Sequence, residues 1–156
     1  MQATPIIRRA NLADLEPLAR LRLALLREMG SVSDENQEGP LLDAIRGYLQ
    51  RKMATDEFLA WVAEADGQVV AISGLVLFER PPDAGNLAGL DAYLMNMYTL
   101  LAWRGQGLAS ALLDEIIGFV RTTPARRISL HATDVGRSVY ESAGFLPATS
   151  VMELAW

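Results

Sequence analysis

Hydrophobic positions recur along the chain with two periods, and the switches between them divide it into elements. Residues 6–10 read as a short first strand. Asp14 then caps a helix with the apolar stripe Leu15, Leu18, Leu21, Leu25, Leu26 and Met29, closed by Gly30. Asn11 is the alternative start, but it pushes Pro17 toward the helix interior, where a missing N–H is costly. The polar, acidic run 31–39 leads to a second helix opened by Pro40, with Leu41, Leu42, Ile45, Tyr48, Leu49 and Met53 on its buried face. From Phe58 the period becomes two: Leu59, Trp61 and Ala63 oppose Ala60, Val62 and Glu64. Asp66-Gly67 makes a hairpin turn, and residues 69–78 return.

Residues 81–90, with Pro81, Pro82, Gly85 and Gly89, read as an exposed connection. Residues 93–101 form a strand apolar on both faces, broken only by the polar Asn96 and Thr99, so it is expected to be covered on both sides. A helix follows with Leu108, Leu112, Leu113, Ile116, Ile117 and Val120 on a wide buried face. After it come a strand over 127–133, a short helix from Val135 or Gly136 to Ser142 closed by Gly144, and a final strand over 151–156. The order is β-α-α-β-β-β-α-β-α-β. It predicts an α/β chain forming one domain over residues 1–156, with a mixed, mostly antiparallel central sheet and helices on both faces.

The most informative stretch joins the central strand to the helix after it: Arg104, Gly105, Gln106, Gly107, Leu108, Ala109 and Ser110. Glycines let a backbone approach a ligand closely, and the first N–H groups of a helix lack intrahelical partners, so such a turn suits an anion. A dinucleotide fingerprint fails here. Ser110 stands where the third glycine belongs, and Arg126 and Arg127 occupy the region where a ribose-binding acid is required. A P-loop fails as well, because no Gly-Lys-Ser/Thr ends the turn.

Composition narrows the partners. The formal charge is −5, from 14 basic and 19 acidic residues, which argues against a nucleic-acid surface. There are no cysteines and one histidine, His131, so thiolate chemistry is excluded and a metal site is not expected. No apolar run reaches the roughly 18 residues of a membrane span. The chain reads as cytoplasmic and soluble, away from membranes.

Residues 104–109 resemble the pyrophosphate loop of the GNAT family of N-acetyltransferases, whose pattern is Arg or Gln, two residues, Gly, one residue, then Gly or Ala. Residues 140–145, Tyr-Glu-Ser-Ala-Gly-Phe, resemble the family's second signature, a tyrosine followed by Gly-Phe at the end of a short helix. The resemblance extends over the whole chain and is strongest from residue 94 to 145. It implies acetyl-CoA as cosubstrate, no metal, and a primary amine of a small molecule or peptide as acceptor. It places Met97, Tyr98 and Thr99 along the pantetheine arm, which pairs with the strand edge like an added strand. The loop from Arg104 to Ser110 would cradle the pyrophosphate, with Gly107 leaving room for phosphate and Ala109 keeping the helix start open. Two departures stand out: Leu101 replaces a frequent proline, and Gly136-Arg137 replaces a frequent asparagine that helps hold CoA.

The chemistry is attack of an amine on a thioester. An alkylammonium, with pKa about 10.4, must lose a proton first. Negative charge building on the thioester oxygen needs a donor, for which a backbone N–H near Thr99 or Leu100 is the candidate. The resemblance makes Tyr140 the acid that protonates the departing thiolate. Asn96, Tyr98, Glu79, His131 and Glu153 are all weak candidates for the base, and a neutral amine reaching the site through water is equally compatible. With no evident base, the alternative function is a catalytically silent acyl-CoA sensor. The net negative charge points to a cationic acceptor, and the final strand with Trp156 to a homodimer.

Overall fold

The computed structural model describes residues 4–148 and 150–156. Five strands form one sheet in the order β1-β2-β3-β4-β5: β1 (Ile6–Arg9), β2 (Leu59–Ala65), β3 (Gln68–Glu79), β4 (Leu90–Thr99) and β5 (Ile128–Ser129). The first four pair antiparallel, and β4 pairs with β5 in parallel, so the predicted mixed and mostly antiparallel sheet is what forms.

Alternation in β2 and β3 divides two cores. Leu59, Trp61, Ala63 and Leu75 pack with Leu112, Leu113 and Ile116 of α3 (Leu108–Arg121). Ala60, Val62 and Ile72 pack with Leu18 and Leu21 of α1 (Leu15–Glu28) and with Ile45 and Leu49 of α2 (Glu38–Ala54). A sheet buried on both faces needs apolar residues at consecutive positions, and residues 59–63 of β2 are buried without interruption. The hairpin turn Asp66-Gly67 has positive φ at both residues, 51° and 75°, as a two-residue turn that follows the strand twist requires.

Boundaries move where capping chemistry was harder to read. Asn11 and Asp14 both act at the first helix. The Asn11 side chain accepts from the Ala13 N–H at 2.8 Å and caps a 3-10 turn over Leu12–Asp14. Asp14 occupies the position before α1, but its carboxylate turns back to the Asn11 N–H at 2.9 Å and to Arg8 at 2.7 and 2.8 Å. The second helix begins two residues before Pro40, at Glu38, behind a 3-10 turn capped by Asp34. The central strand spans Leu90–Thr99 instead of 93–101, which brings a carboxylate, Asp91, into it. Asp91 is buried and holds Arg80 at 2.7 Å and the Asn86 amide at 3.0 Å, tying down the connection over residues 81–90.

The expected strand over 127–133 shortens to two residues, and the expected last strand over 151–156 does not form. These two corrections share a cause. β4 and β5 pair at two positions only, so β5 ends there and leaves a sixth strand few ladder bonds, while ordering each added residue costs about 1–2 kcal/mol of backbone entropy. Val151, Met152, Leu154 and Trp156 are left exposed. Beside β5 lies a groove of about 800 Å³ between the end of α3, the last helix α4 (Arg137–Ser142) and residues 144–148.

Asp14 supplies a test of the first helix. The hydrogen bonds from Arg8 hold its carboxyl below the usual carboxylate range. A folded value below the unfolded one stabilises at pH above the unfolded pKa, about 3.9, and that contribution is lost as pH falls through the folded value. Asp14→Asn should therefore cost about 1–3 kcal/mol at pH 6. The difference from wild type should shrink toward pH 2 in urea titrations.

Candidate active site

The site begins where β4 parts from β5. Ala92 pairs with Ile128 and Tyr93 with Ser129; past these two positions the strands have no further register. The stretch from Leu94 to Thr99 thus keeps β3 on one side and an open edge on the other. On the β3 side the ladder is interrupted between Ile72 and Gly74, where Asn96 and Met97 face the single residue Ser73. Asn96 sits at φ 58°. Asparagine tolerates that left-handed backbone better than most residues, and the bulge re-aims the strand at this point.

The bulge residue is held from the opposite layer: Arg22 of α1 donates through Nη1 to the Asn96 Oδ1. Met97 turns instead to the α3 side, packing against the same cluster as Leu108 and Tyr140. Tyr98 lies on the α1/α2 side beneath the Arg104 guanidinium, 5.4 Å from its ring centroid. Of the two oxyanion donors expected, Leu100 is already spoken for, since its N–H donates to Val70 O at 2.9 Å. Strand alternation points the Thr99 amide the other way, toward the open edge.

Residues 101–107 form the turn. A 3-10 turn over Leu101–Trp103 stands where the absent proline was noted, then Gly105 at φ 74° and Gly107 at φ 78° lead into α3. Side chains strongly disfavour this backbone, so both glycines are required by the chain itself. A Cβ built on either meets nothing within 4 Å, so the space over the turn is open. Leu108, Ala109 and Ser110 begin α3, whose Gly107 cap has no side chain to satisfy the helix's first N–H groups. The Arg104 side chain does not extend over the turn. Its Nε donates to Thr99 O at 2.9 Å, and Nη2 reaches both oxygens of Glu28 at 2.7 and 2.9 Å, fastening the end of α1 to the loop. Gln106 lies exposed, with its amide 3.4 Å from Ala102 O.

Tyr140 comes from α4, which Gly144 closes at φ 96° with the Phe145 N–H donating to Tyr140 O. Phe145 packs edge-on to the tyrosine ring at 5.9 Å. Tyr140 shares one apolar cluster with Met97, Leu100 and Leu108, so the two sequence signatures meet on one face of the sheet. Burial pushes its phenol above the ordinary value, which keeps the proton on at neutral pH. The groove of about 800 Å³ reaches Tyr140 but none of residues 97–110 line it; it is the space beside β5 where the last strand was expected.

Geometry sets one base candidate, Glu79, far from the bulge. Glu79 pairs with Leu90, six residues or about 20 Å of strand from Asn96, and Glu153 is exposed in the terminal segment. Asn96 is engaged by Arg22, and Tyr98 by Arg104. His131 is exposed and shares a hydrogen bond between Nδ1 and the Tyr93 hydroxyl, across the point where β4 and β5 part. The Arg22 contact and the Tyr93–His131 pair were not legible in the sequence; Asn96, a polar break in the otherwise apolar run from residue 94 to 97, was the available signal.

The family model for the Acetyltransferase (GNAT) family matches residues 23–145. The chain belongs to the GNAT acetyltransferase family. Among solved structures, it is similar to a predicted acetyltransferase from Clostridium acetobutylicum with acetyl-CoA, at 27% identity and a TM-score of 0.88, covering 97% of this chain and 96% of that one. A GCN5-related N-acetyltransferase from Ralstonia eutropha is similar at 27% identity and a TM-score of 0.86, covering 97% and 99%. An aminoglycoside N-acetyltransferase in complex with CoA shares the fold at 18% identity and a TM-score of 0.77, covering 99% and 95%. No curated protein matches the sequence. Among the described residues no helix is long and apolar enough to cross a membrane, and no three His, Asp or Glu side chains are placed to hold a metal.

The turn can be tested apart from any ligand. Gly107→Ala, forced into left-handed backbone, should lose about 1–2 kcal/mol in urea unfolding. Gly118→Ala, in the interior of α3 with open space around it, should gain about 0.5–1 kcal/mol.

Proposed function

We propose that this GNAT protein transfers the acetyl group of acetyl-CoA directly to a primary amine of a small molecule or peptide. The observation that carries this is the open edge of β4 ending in a glycine turn, with Tyr140 in the same cluster. An extended pantetheine arm fits an unpaired strand edge at Met97, Tyr98 and Thr99, because an exposed row of N–H and C=O groups is a template for an added strand. The pyrophosphate fits the turn, where Gly105 and Gly107 leave the space open and the N–H groups of Leu108, Ala109 and Ser110 lack helical acceptors. Arg104 and Gln106 serve through backbone, since the Arg104 guanidinium is committed to Glu28.

Acetyl-CoA supplies an activated thioester. The ammonium proton leaves to water before attack; the new N–C bond then forms as the C–S bond breaks, Tyr140 gives its proton to the departing thiolate, and the proton that the acylated nitrogen releases goes to water, from which the Tyr140 phenolate is re-protonated. The Thr99 N–H, on the open edge, is the donor for charge developing on the thioester oxygen. Among the described residues no carboxylate pairs with Arg22 or Asn96 at the bulge, which favours a second reading, an acyl-CoA sensor without turnover. The absence of cysteine accords with a cytoplasmic setting.

Thiol release from acetyl-CoA over a panel of amines tests the reading, with release expected and acetyl-CoA binding without release pointing to the sensor. In an active pairing, Tyr140→Phe should lower kcat by about 10²-fold or more, while unchanged turnover would reduce Tyr140 to packing.

A homodimer is supported by the short β5 edge, the groove beside it lined by Arg126 and Arg127, and the exposed apolar segment carrying Glu153. In that arrangement the terminal segment of each copy covers the other's groove. Light scattering should give a dimer that Leu154→Asp with Trp156→Asp converts to monomer.

A further inference from the structure

Arg22 is unusual in this chain. Its neighbours on α1, Arg20 and Arg27, are each held by a glutamate, and Arg104 is held by Glu28. Among the described residues, the other arginines without a carboxylate within reach, Arg51, Arg121, Arg126 and Arg127, are all exposed to solvent; Arg22 alone combines half-burial with no acidic partner. Its hydrogen bond goes to a neutral amide, the Asn96 Oδ1. Burial without a counter-charge draws its pKa below the ordinary value, and the one ionisable neighbour acting on its charge is Tyr48 of α2. A protein with an excess of acids has left a half-buried cation unneutralised, a costly arrangement unless a ligand completes it.

Its position says which ligand. β4 runs toward the glycine turn, so an arm whose pyrophosphate lies at the turn runs back along the strand from Thr99 to Met97. The thioester end then falls at the Asn96 bulge, where Arg22 arrives from the layer of α1 and α2. We propose that Arg22 anchors an anionic group of the acceptor, a carboxylate or phosphate a few ångströms from the amine that is acetylated; this rests on the acetyltransferase reading of the same site. Nη1 is occupied by Asn96, which restrains the guanidinium, and its remaining N–H groups make no other hydrogen bond among the described residues. A planar fork held in this way suits the two oxygens of an anion better than a point charge would.

The test pairs acceptors that differ only in the anion: each of several amino acids with its amide, and phosphoethanolamine with ethanolamine. The two sets separate carboxylate from phosphate. Wild type should favour the anionic member, and Arg22→Gln should reduce that preference by about 10- to 100-fold through KM, with Arg22→Lys recovering part of it. CoA affinity by calorimetry should stay at the wild-type value in both variants. Equal use of charged and neutral members overturns the proposal. So does a fall in kcat for every acceptor, which assigns Arg22 to the thioester, or a loss of CoA affinity, which assigns it to holding the bulge. If no amine is acetylated, the transfer reading fails by itself. Calorimetry of the CoA-loaded protein with N-acetylglycine, N-acetylglycinamide and inorganic phosphate then decides the anchor: anion binding lost in Arg22→Gln supports it, and binding indifferent to Arg22 overturns it.

Discussion

A strand edge left open inside a folded protein must be satisfied by water or by a ligand, because its N–H and C=O groups cannot go unpaired without cost. In this chain the parting of β4 from β5 after Tyr93 and Ser129 creates such an edge, and much of the rest follows from it. β5 is short because its partner turns away. The groove on its far side stays uncovered, and the terminal segment finds no ladder to join. On the near side the open edge ends at a turn whose two glycines are required by left-handed backbone, so on the proposed reading main-chain geometry would set the acyl donor's place. Side chains play little part in it: the single long cation of the turn, Arg104, is turned back onto Glu28 and Thr99.

How far the sequence could be read depends on the range of the interaction that decides each feature. Period-two alternation in residues 59–63 and period-3.6 stripes at Leu18, Leu21, Ile45, Leu49, Leu112 and Ile116 report burial directly, and the two cores form as expected. The glycines of the turn and the Tyr140 to Phe145 helix end were legible because a local backbone requirement selects the residue. The bulge at Asn96 was not. It depends on how β4 registers with Ser73, a residue more than twenty positions earlier, and nothing local distinguishes it from a simple polar break. The last strand failed for the same kind of reason, since alternation at residues 151–156 says which side chains would face inward but not whether an edge exists to receive them.

Net charge is a coarser quantity than local pairing. The excess of acids pointed to a cationic acceptor, yet many of those acids are spent on arginines: Asp14 and Glu64 on Arg8, Glu16 on Arg20 and Arg46, Asp91 on Arg80. On the proposed reading a substrate would meet the unpaired remainder beside the Asn96 bulge, and there the unpaired charge is that of Arg22.

That sign also bears on the missing base. Two like charges about 4 Å apart repel by roughly 1–4 kcal/mol, depending on how much water screens them. An ammonium entering beside Arg22 is disfavoured by that amount relative to the neutral amine, which corresponds to lowering its pKa by about one to three units. A carboxylate placed as general base would supply the opposite field and hold the proton on until it was itself in contact. A cation at the bulge instead favours the neutral form of an amine that arrives without an anion; where the acceptor's own anion pairs with Arg22 the two fields largely cancel, so Arg22 then acts as an anchor and the amine's proton must leave to water.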